Sequence, residues 1–227
     1  MADSATRTAS RPTQRAQAAA DARQRILAAA ADCIVRDGLA QVRMASIART
    51  AGVSAGLLHY HFDTKELLFG EVLTYSHGVS SELNQRAMAG AGESPPERLS
   101  SFLDRCLPSD EQRAHEWLLW QELALLCIRD PHLAEVGAEL YEDLYATVAD
   151  IVREGQASGV FQTSLDPRAL AEAAVALTDG LGGRVLARDP TLGVEEARAT
   201  IASTVGVLVG HDGPLPPPAP FEGRPEA

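Results

Sequence analysis

Apolar residues recur at three- and four-residue steps along nearly the whole chain, and no stretch alternates apolar with polar for long enough to make a strand. That period confines the chain to helices with one buried face each. Ile26, Leu27, Ala30, Ile34 and Val35 line one face of a first segment over 23–37, which Asp37-Gly38 ends. A short segment from Met44 to Ala51 turns Ile47 and Ala48 inward and is broken by Gly52. Ser54 offers an N-cap hydroxyl for a third helix through about His61, and Asp63 with Glu66 has the capping-box spacing for a fourth. That helix runs past Leu68, Val72, Tyr75, Val79 and Leu83 to about Gly90.

Further on, Pro95-Pro96 open a helix ending near Pro108, and Asp110 opens another that ends at Arg129-Asp130. Pro131 starts a long one, carried by Leu133, Val136, Leu140, Leu144, Val148, Ile151 and Val152 and closed by Gly155 and Gly159. Asp166-Pro167 begins the helix of Leu170, Ala174, Leu177, Leu181 and Val185; Ala197, Ile201, Val205 and Leu208 mark the last. The expected fold class is all-α, with about nine helices. Residues 1–22 lack apolar periodicity and are expected to be a disordered basic tail, either merely solvated or an arm using Arg7, Arg11 and Arg15 on phosphates. Residues 211–227 hold six of the thirteen prolines and are expected to be a frayed end.

Charge divides the chain unevenly. Of 227 residues, 1–65 hold nine Arg/Lys and five Asp/Glu, whereas 66–227 hold eleven and twenty-six, giving −11 overall. Such asymmetry suggests a nucleic-acid-facing end and a differently employed remainder. The only lysine, Lys65, stands at that border. No apolar run approaches the about 18 residues of a membrane span, and no apolar stretch follows the N-terminal charges as in a secretory signal. Cys33, Cys106 and Cys127 lack metal-ligand spacing and read as thiols of a reducing cytoplasm.

The window Arg43–Leu68 reads RMASIARTAGVSAGLLHYHFDTKELL. Ile47, Ala48, Val53 and Leu58 can pack together, Ala51 lets two helices approach, and Gly52 permits the tight turn between them. This is a helix-turn-helix, a unit that presents its second helix to the major groove. The same residues resemble the DNA-binding signature of the TetR family of bacterial repressors: an IA-x-x-AGVS turn, an aromatic-rich end to the recognition helix, then F-x-x-K-E-x-L. With the helix 23–37, the resemblance spans about 50 residues. The later segment ALTDGLGGRVLARDPTLGVEEARATI resembles the subgroup of choline-responsive betaine-synthesis repressors.

The resemblance implies a DNA-binding domain over 23–68 and an effector-binding and dimerisation domain over 69–210. Its base-reading positions fall on Ala55, Leu57 and His61, near Ser54 and Gly56 at the helix start; His59, Tyr60 and Lys65 fall on phosphate contacts. Arg43, Met44 and Ala45 open the preceding helix at the backbone. Met44 stands where the family usually has a threonine hydroxyl able to bond phosphate, and Ala55 and Leu57 are apolar where members often carry polar groups. Thymine methyl contacts and shape readout would then weigh more. Phe62 reads as a core anchor.

Dimerisation follows from half-site symmetry, and the resemblance assigns it to the last two helices through Ala173, Leu177, Leu181, Val185, Ile201, Val205 and Leu208. The middle helices should enclose an effector pocket. Trp117, Trp120, Gln121 and Glu122 on one helix, Tyr141 and Tyr145 on the next, and Asp179 combine aromatics with acids. A cationic effector, a quaternary ammonium compound or polyamine, would use both through cation–π contact and charge pairing. The alternative is core aromatics and a solvated acidic face.

Three other patterns compete. Gly52-Val53-Ser54-Ala55-Gly56 matches the hydrolase elbow G-x-S-x-G, but a strand should precede that serine and helix is expected here. His59 and His61 are two apart, which on a helix points them away from a shared metal. Gly180, Gly182 and Gly183 lie within a helix rather than after a strand, so they suit close helix approach better than phosphate binding. The expected function is a non-enzymatic, cofactor-free and metal-free regulator, most simply a repressor released from a palindromic operator by a small molecule. The alternatives are a small helical enzyme or carrier using only the pocket, and a helical adaptor whose basic end binds acidic protein.

Overall fold

The computed structural model of the chain describes residues 14–90 and 94–218. Among the described residues there are nine α-helices and no strand: α1 Gln14–Asp37, α2 Met44–Thr50, α3 Ala55–His61, α4 Lys65–Gly90, α5 Pro95–Arg105, α6 Glu111–Cys127, α7 Pro131–Ser158, α8 Pro167–Leu186 and α9 Val194–Val209. The chain divides into two compact units, at Val72 and Leu73. Arg7 and Arg11 of the expected N-terminal arm lie outside the described residues, as do residues 219–227.

The first unit packs around Ile26, Leu27, Ala30, Ile34, Ile47, Leu58, Phe62 and Leu68, all buried. α1 starts at Gln14, so residues 14–22 are helical and not the coil expected from their polarity. Alanine is the strongest helix former, and the run Ala18-Ala19-Ala20 with Ala22 extends the helix without needing an apolar stripe. Gln17 Nε2 supports it by donating to Asp21 Oδ1 at 3.0 Å, one turn on. At the start of α4 the cap is Thr64, whose hydroxyl accepts from Leu67 N at 3.1 Å, rather than Asp63.

The second unit buries Leu99, Phe102, Leu103, Val148, Ile151, Val152, Leu170, Ala171, Ala174, Ala197, Ile201 and Val205 in one core. Its helix starts follow the aspartates: Asp110 accepts from Arg113 N, Asp130 from His132 N and Asp166 from Ala169 N, at 2.9 to 3.0 Å. α5 stops at Arg105, three residues short of Pro108. Gly155 does not terminate α7; the helix continues to Ser158, and a Cβ at Gly155 would lie 2.0 Å from the Phe161 ring. The glycine makes room for that buried ring, and Gly159, at φ +76°, forms the left-handed end.

The proline-rich segment after α9 is helix-free, as expected, but its described part is docked rather than frayed. Leu215 is buried, its N–H donates to Ala202 O at 3.0 Å, and Ser100 Oγ donates to Pro216 O at 2.6 Å. A single large apolar side chain anchors it where composition alone indicated solvent. Leu215→Ala should therefore cost about 2–4 kcal/mol in a denaturant melt of the full chain, the range for emptying a buried leucine site. A change below about 0.5 kcal/mol would mean the segment is not held there.

Candidate functional site

The helix-turn-helix is built as the sequence indicates. Gly52 takes φ +65° after α2, a left-handed conformation costly for other residues, and Val53 N donates back to Ala48 O at 3.0 Å. Ser54 has extended backbone and caps α3, its Oγ accepting from Leu57 N at 3.1 Å. The hydroxyl of the G-x-S-x-G pattern is thus committed to a helix cap and follows a helix, not a strand. Underneath, Leu58 and Phe62 are fully buried and clamp α3 onto the unit's core.

The opposite face of α3 is open. Ser54, Ala55, Gly56, His59 and Tyr60 are exposed, Leu57 is half-buried, and Tyr60 retains 79% of its surface. Arg43 and Ala45 are exposed beside them and Met44 is half-buried at the start of α2. His61 departs from the expected base-reading role. It is half-buried, and its Nε2 is enclosed without a hydrogen-bond partner, edge-on to Tyr60 at 5.3 Å between ring centroids. That nitrogen faces protein, because position 61 lies at the end of α3, next to the Phe62 anchor. Lys65 is half-buried, donates to Leu39 O at 3.2 Å and lies 5.2 Å from the Phe69 ring centroid, so its ammonium is held at a fixed place. Arg23 pairs with Glu71 and covers the Phe62 ring at 5.5 Å.

The second unit holds a cavity of about 440 Å³. Trp117, Trp120, Gln121, Tyr141 and Asp179 line it, five of the seven residues expected. Glu122 and Tyr145 do not. Tyr145 turns to the core and to Arg168, whose guanidinium lies 4.6 Å from its ring centroid; Glu122 sits one position off the helical face that carries Trp117, Trp120 and Gln121. Trp117 is wedged firmly: its indole N–H donates to Cys106 O at 3.1 Å, and its ring lies where a Cβ at Gly182 would come within 2.4 Å. Gly182 is therefore a close-approach position on α8, as the glycine run suggested. Tyr141 donates to Asp179 Oδ2 at 3.0 Å. Burial raises the Asp179 carboxyl above its ordinary value, and the Tyr141 hydrogen bond pulls it back only in part. The Tyr141 phenol is raised too, by burial first and then by Asp179.

The wall also contains residues that the spacing of aromatics did not single out: His77, Ser80, Arg105, Arg113, Glu116 and Asp143. His77 Nε2 lies 2.9 Å from Asp143 Oδ2 and its ring stands edge-on to Trp120. Glu116 precedes Trp117 by one and Trp120 by four, a same-face spacing that could have flagged it. Arg105 and His77 had no comparable signal.

The proposed dimer surface needs correction at two positions. Ile201 and Val205 are 4% and 1% exposed, packed into the unit's own core, so they cannot meet a second copy. Periodicity identified the buried face of α9; the outward one carries Val207, 79% exposed, with Leu208 half-buried beside it. On α8, Ala173 is exposed and Leu177, Leu181 and Val185 are half-buried.

Among the described residues, no cluster of three or more His, Cys, Asp or Glu is arranged to hold a metal ion, and no helix is long and apolar enough to cross a membrane.

Comparison with known proteins agrees with these features. Residues 26–72 match the model of bacterial regulatory proteins of the tetR family, and residues 95–210 match that of the BetI-type transcriptional repressor C-terminal domain. The transcriptional regulator BetI of Agrobacterium fabrum is 28% identical over 185 residues, 79% of this chain and 84% of that protein. A TetR-family regulator from Rhodococcus sp. superposes with a TM-score of 0.72 at 29% identity, covering 84% of this chain and 99% of that one. A transcriptional regulator from Saccharomonospora viridis, solved in complex with choline, gives 0.72 at 30% identity, over 80% and 94%. A helix-turn-helix with an open recognition face, joined to a helical unit matched by the BetI-type model, makes this chain a member of the TetR family of bacterial transcriptional regulators.

Proposed function

We propose that the chain acts in the cytoplasm as a homodimeric repressor that reads a palindromic operator with α3 and is released when a cationic small molecule enters the cavity of the second unit. The observation that carries the DNA-reading part is the division of α3: Leu58 is buried, while Ala55, Gly56 and Tyr60 are exposed along its outer face. A helix anchored on one side and bare on the other is what groove insertion requires. The small side chains at Ala55 and Gly56 let the backbone approach base edges, and Leu57 offers an apolar surface for a thymine methyl. In this reading Tyr60, His59, Arg43 and Lys65 would meet phosphates on the flanks, and Met44, Ala45 and Ser54 would complete the edge through backbone contacts.

Dimerisation is assigned to the outward faces of α8 and α9, through Ala173, Leu177, Leu181 and Val185 on the first and Val207 with Leu208 on the second. Small residues such as Ala173 and Gly180 allow helices of two copies to approach closely, and the exposed Val207 gains most from being covered. Two-fold pairing would set two α3 helices at half-sites separated by about one helical turn of DNA or a multiple of it.

The cationic effector rests on the aromatic walls Trp117, Trp120 and Tyr141 together with Asp179, a carboxylate already desolvated. A bound cation would favour its ionised form, and cation–π contact adds about 0.5–2 kcal/mol per ring. The choline complex of the Saccharomonospora viridis regulator is consistent with this chemistry.

Two outcomes follow. In mobility shifts across a salt series, Lys65→Ala should weaken binding to every sequence alike and lower the salt slope by about one, the signature of one lost phosphate contact; an unchanged slope would remove Lys65 from the interface. In calorimetry with choline, affinity should fall as pH drops through the raised Asp179 range, because protonation removes the counter-charge. Tyr141→Phe deletes the hydrogen bond that lowers this carboxyl, so the loss should begin at higher pH in the variant. Superimposable profiles would show that Asp179 does not bind the cation.

A further inference from the structure

Gly180, Gly182 and Gly183 stand close together on α8, but their surroundings differ. A Cβ at Gly180 or Gly183 would meet nothing within 4 Å. At Gly182 it would lie 2.4 Å from Trp117 Cζ2, 2.6 Å from Cη2 and 3.2 Å from Cε2. Carbon atoms pack at about 3.5–4.0 Å, so no side chain fits between this turn of α8 and the indole. Gly182 is buried beneath the ring, whereas Gly180 is exposed and Gly183 half-buried. The same edge of the indole carries Nε1–H, which donates to the carbonyl of Cys106, the C-cap of α5, at 3.1 Å. Trp117 is thus seated edge-on against two helices. It also lines the cavity of the second unit, as do Cys106 and Asp179. Positions three apart share a helix face, so Asp179 and the seat at Gly182 are neighbours on α8.

We propose that Gly182 sets the size of the ammonium group that the cavity admits, by letting the edge of Trp117 seat against α8. This rests on the cationic-effector reading above and adds a size limit to it. A methyl group at position 182 displaces the indole from α8, and because the indole is part of the wall, the space inside the cavity shrinks. A bulky ammonium group meets that change first, since packed interiors tolerate an added methyl group poorly. A small one keeps its cation–π contact. Gly182 lies behind the indole, so it is a positioning residue, and its effect on ligands passes through Trp117.

Calorimetry on the full chain with tetramethylammonium, ethyltrimethylammonium and tetraethylammonium tests it, comparing the unaltered protein with Gly182→Ala. The substitution should weaken the largest ion that the unaltered protein binds by about tenfold or more, the scale of one methyl group in a fitted pocket. Tetramethylammonium should lose less; where it is itself the largest ion bound, it should show the tenfold loss. In a Trp117→Phe background, whose single ring lacks the atoms nearest Gly182, the glycine substitution should change affinity by less than about twofold. No change, equal weakening of ions of different size, or a loss that persists undiminished in the Trp117→Phe background overturns the proposal while the cationic reading stands. If none of the ions binds the unaltered protein, the cationic reading fails and the size limit with it. Should Gly182→Ala not fold, the double variant decides: folding with the affinities of Trp117→Phe supports the proposal, and failure to fold overturns it.

Discussion

A seven-residue helix cannot hold itself together in water, since nucleation costs more than so few hydrogen bonds return. Everything assigned to α3 therefore depends on how the first unit clamps it. Three local devices do so: the left-handed Gly52 sets the turn, the Ser54 hydroxyl satisfies a free N–H at the start, and Leu58 with Phe62 buries the inner face. Burial of a side chain the size of Phe62 contributes about 1.5–3 kcal/mol, more than the cap, so packing dominates and the cap fixes where the helix begins. Because the inner face supplies the stability, the outer face, with Ala55, Gly56, His59 and Tyr60 exposed, is not needed to hold the helix.

The second unit uses the same economy differently. α8 contributes Asp179 to the cavity and Gly182 to the seat of Trp117, while its other side carries the exposed Ala173 and the half-buried Leu177 and Leu181, which also pack on the core. One rigid helix thus lies between the chemistry of the ligand and the surface assigned to the second copy. Asp179 is held partly desolvated by its surroundings and steadied by Tyr141, so the charge state of the cavity is sensitive to what occupies it. Under the reading proposed above, a ligand that changed the Tyr141–Asp179 contact would act directly on α8.

Much of this was legible in the sequence, and its omissions have physical causes. Helix number, the caps at Asp110 and Asp166 and the turn at Gly52 follow from local rules that the chain obeys; at α4 the neighbouring Thr64 took the cap in place of Asp63. The early start of α1 was hidden because alanine stabilises a helix without leaving an apolar stripe. The docked Leu215 was hidden because composition describes an average, and one buried leucine is enough to hold a proline segment. Ile201 and Val205 misled because a three-and-four spacing says that one face of a helix is apolar without saying which neighbour covers it; here the covering is internal and the exposed residue is Val207. Likewise Tyr141 and Tyr145 share a spacing but not a destination, and Arg105, a lone basic residue at a helix end, gave no sign that it would line a cavity. At His61, proximity to the Phe62 anchor decided the outcome, enclosing Nε2 in protein.

In the proposed function two copies of α3 enter the major groove of one palindromic duplex. Methylation interference at guanine N7, on duplexes selected by the full protein from a random pool, reads that groove directly. Two symmetric clusters of interference, separated by about one helical turn or a multiple of it, are the predicted result. A single cluster, or bound duplexes indifferent to methylation, would contradict the account.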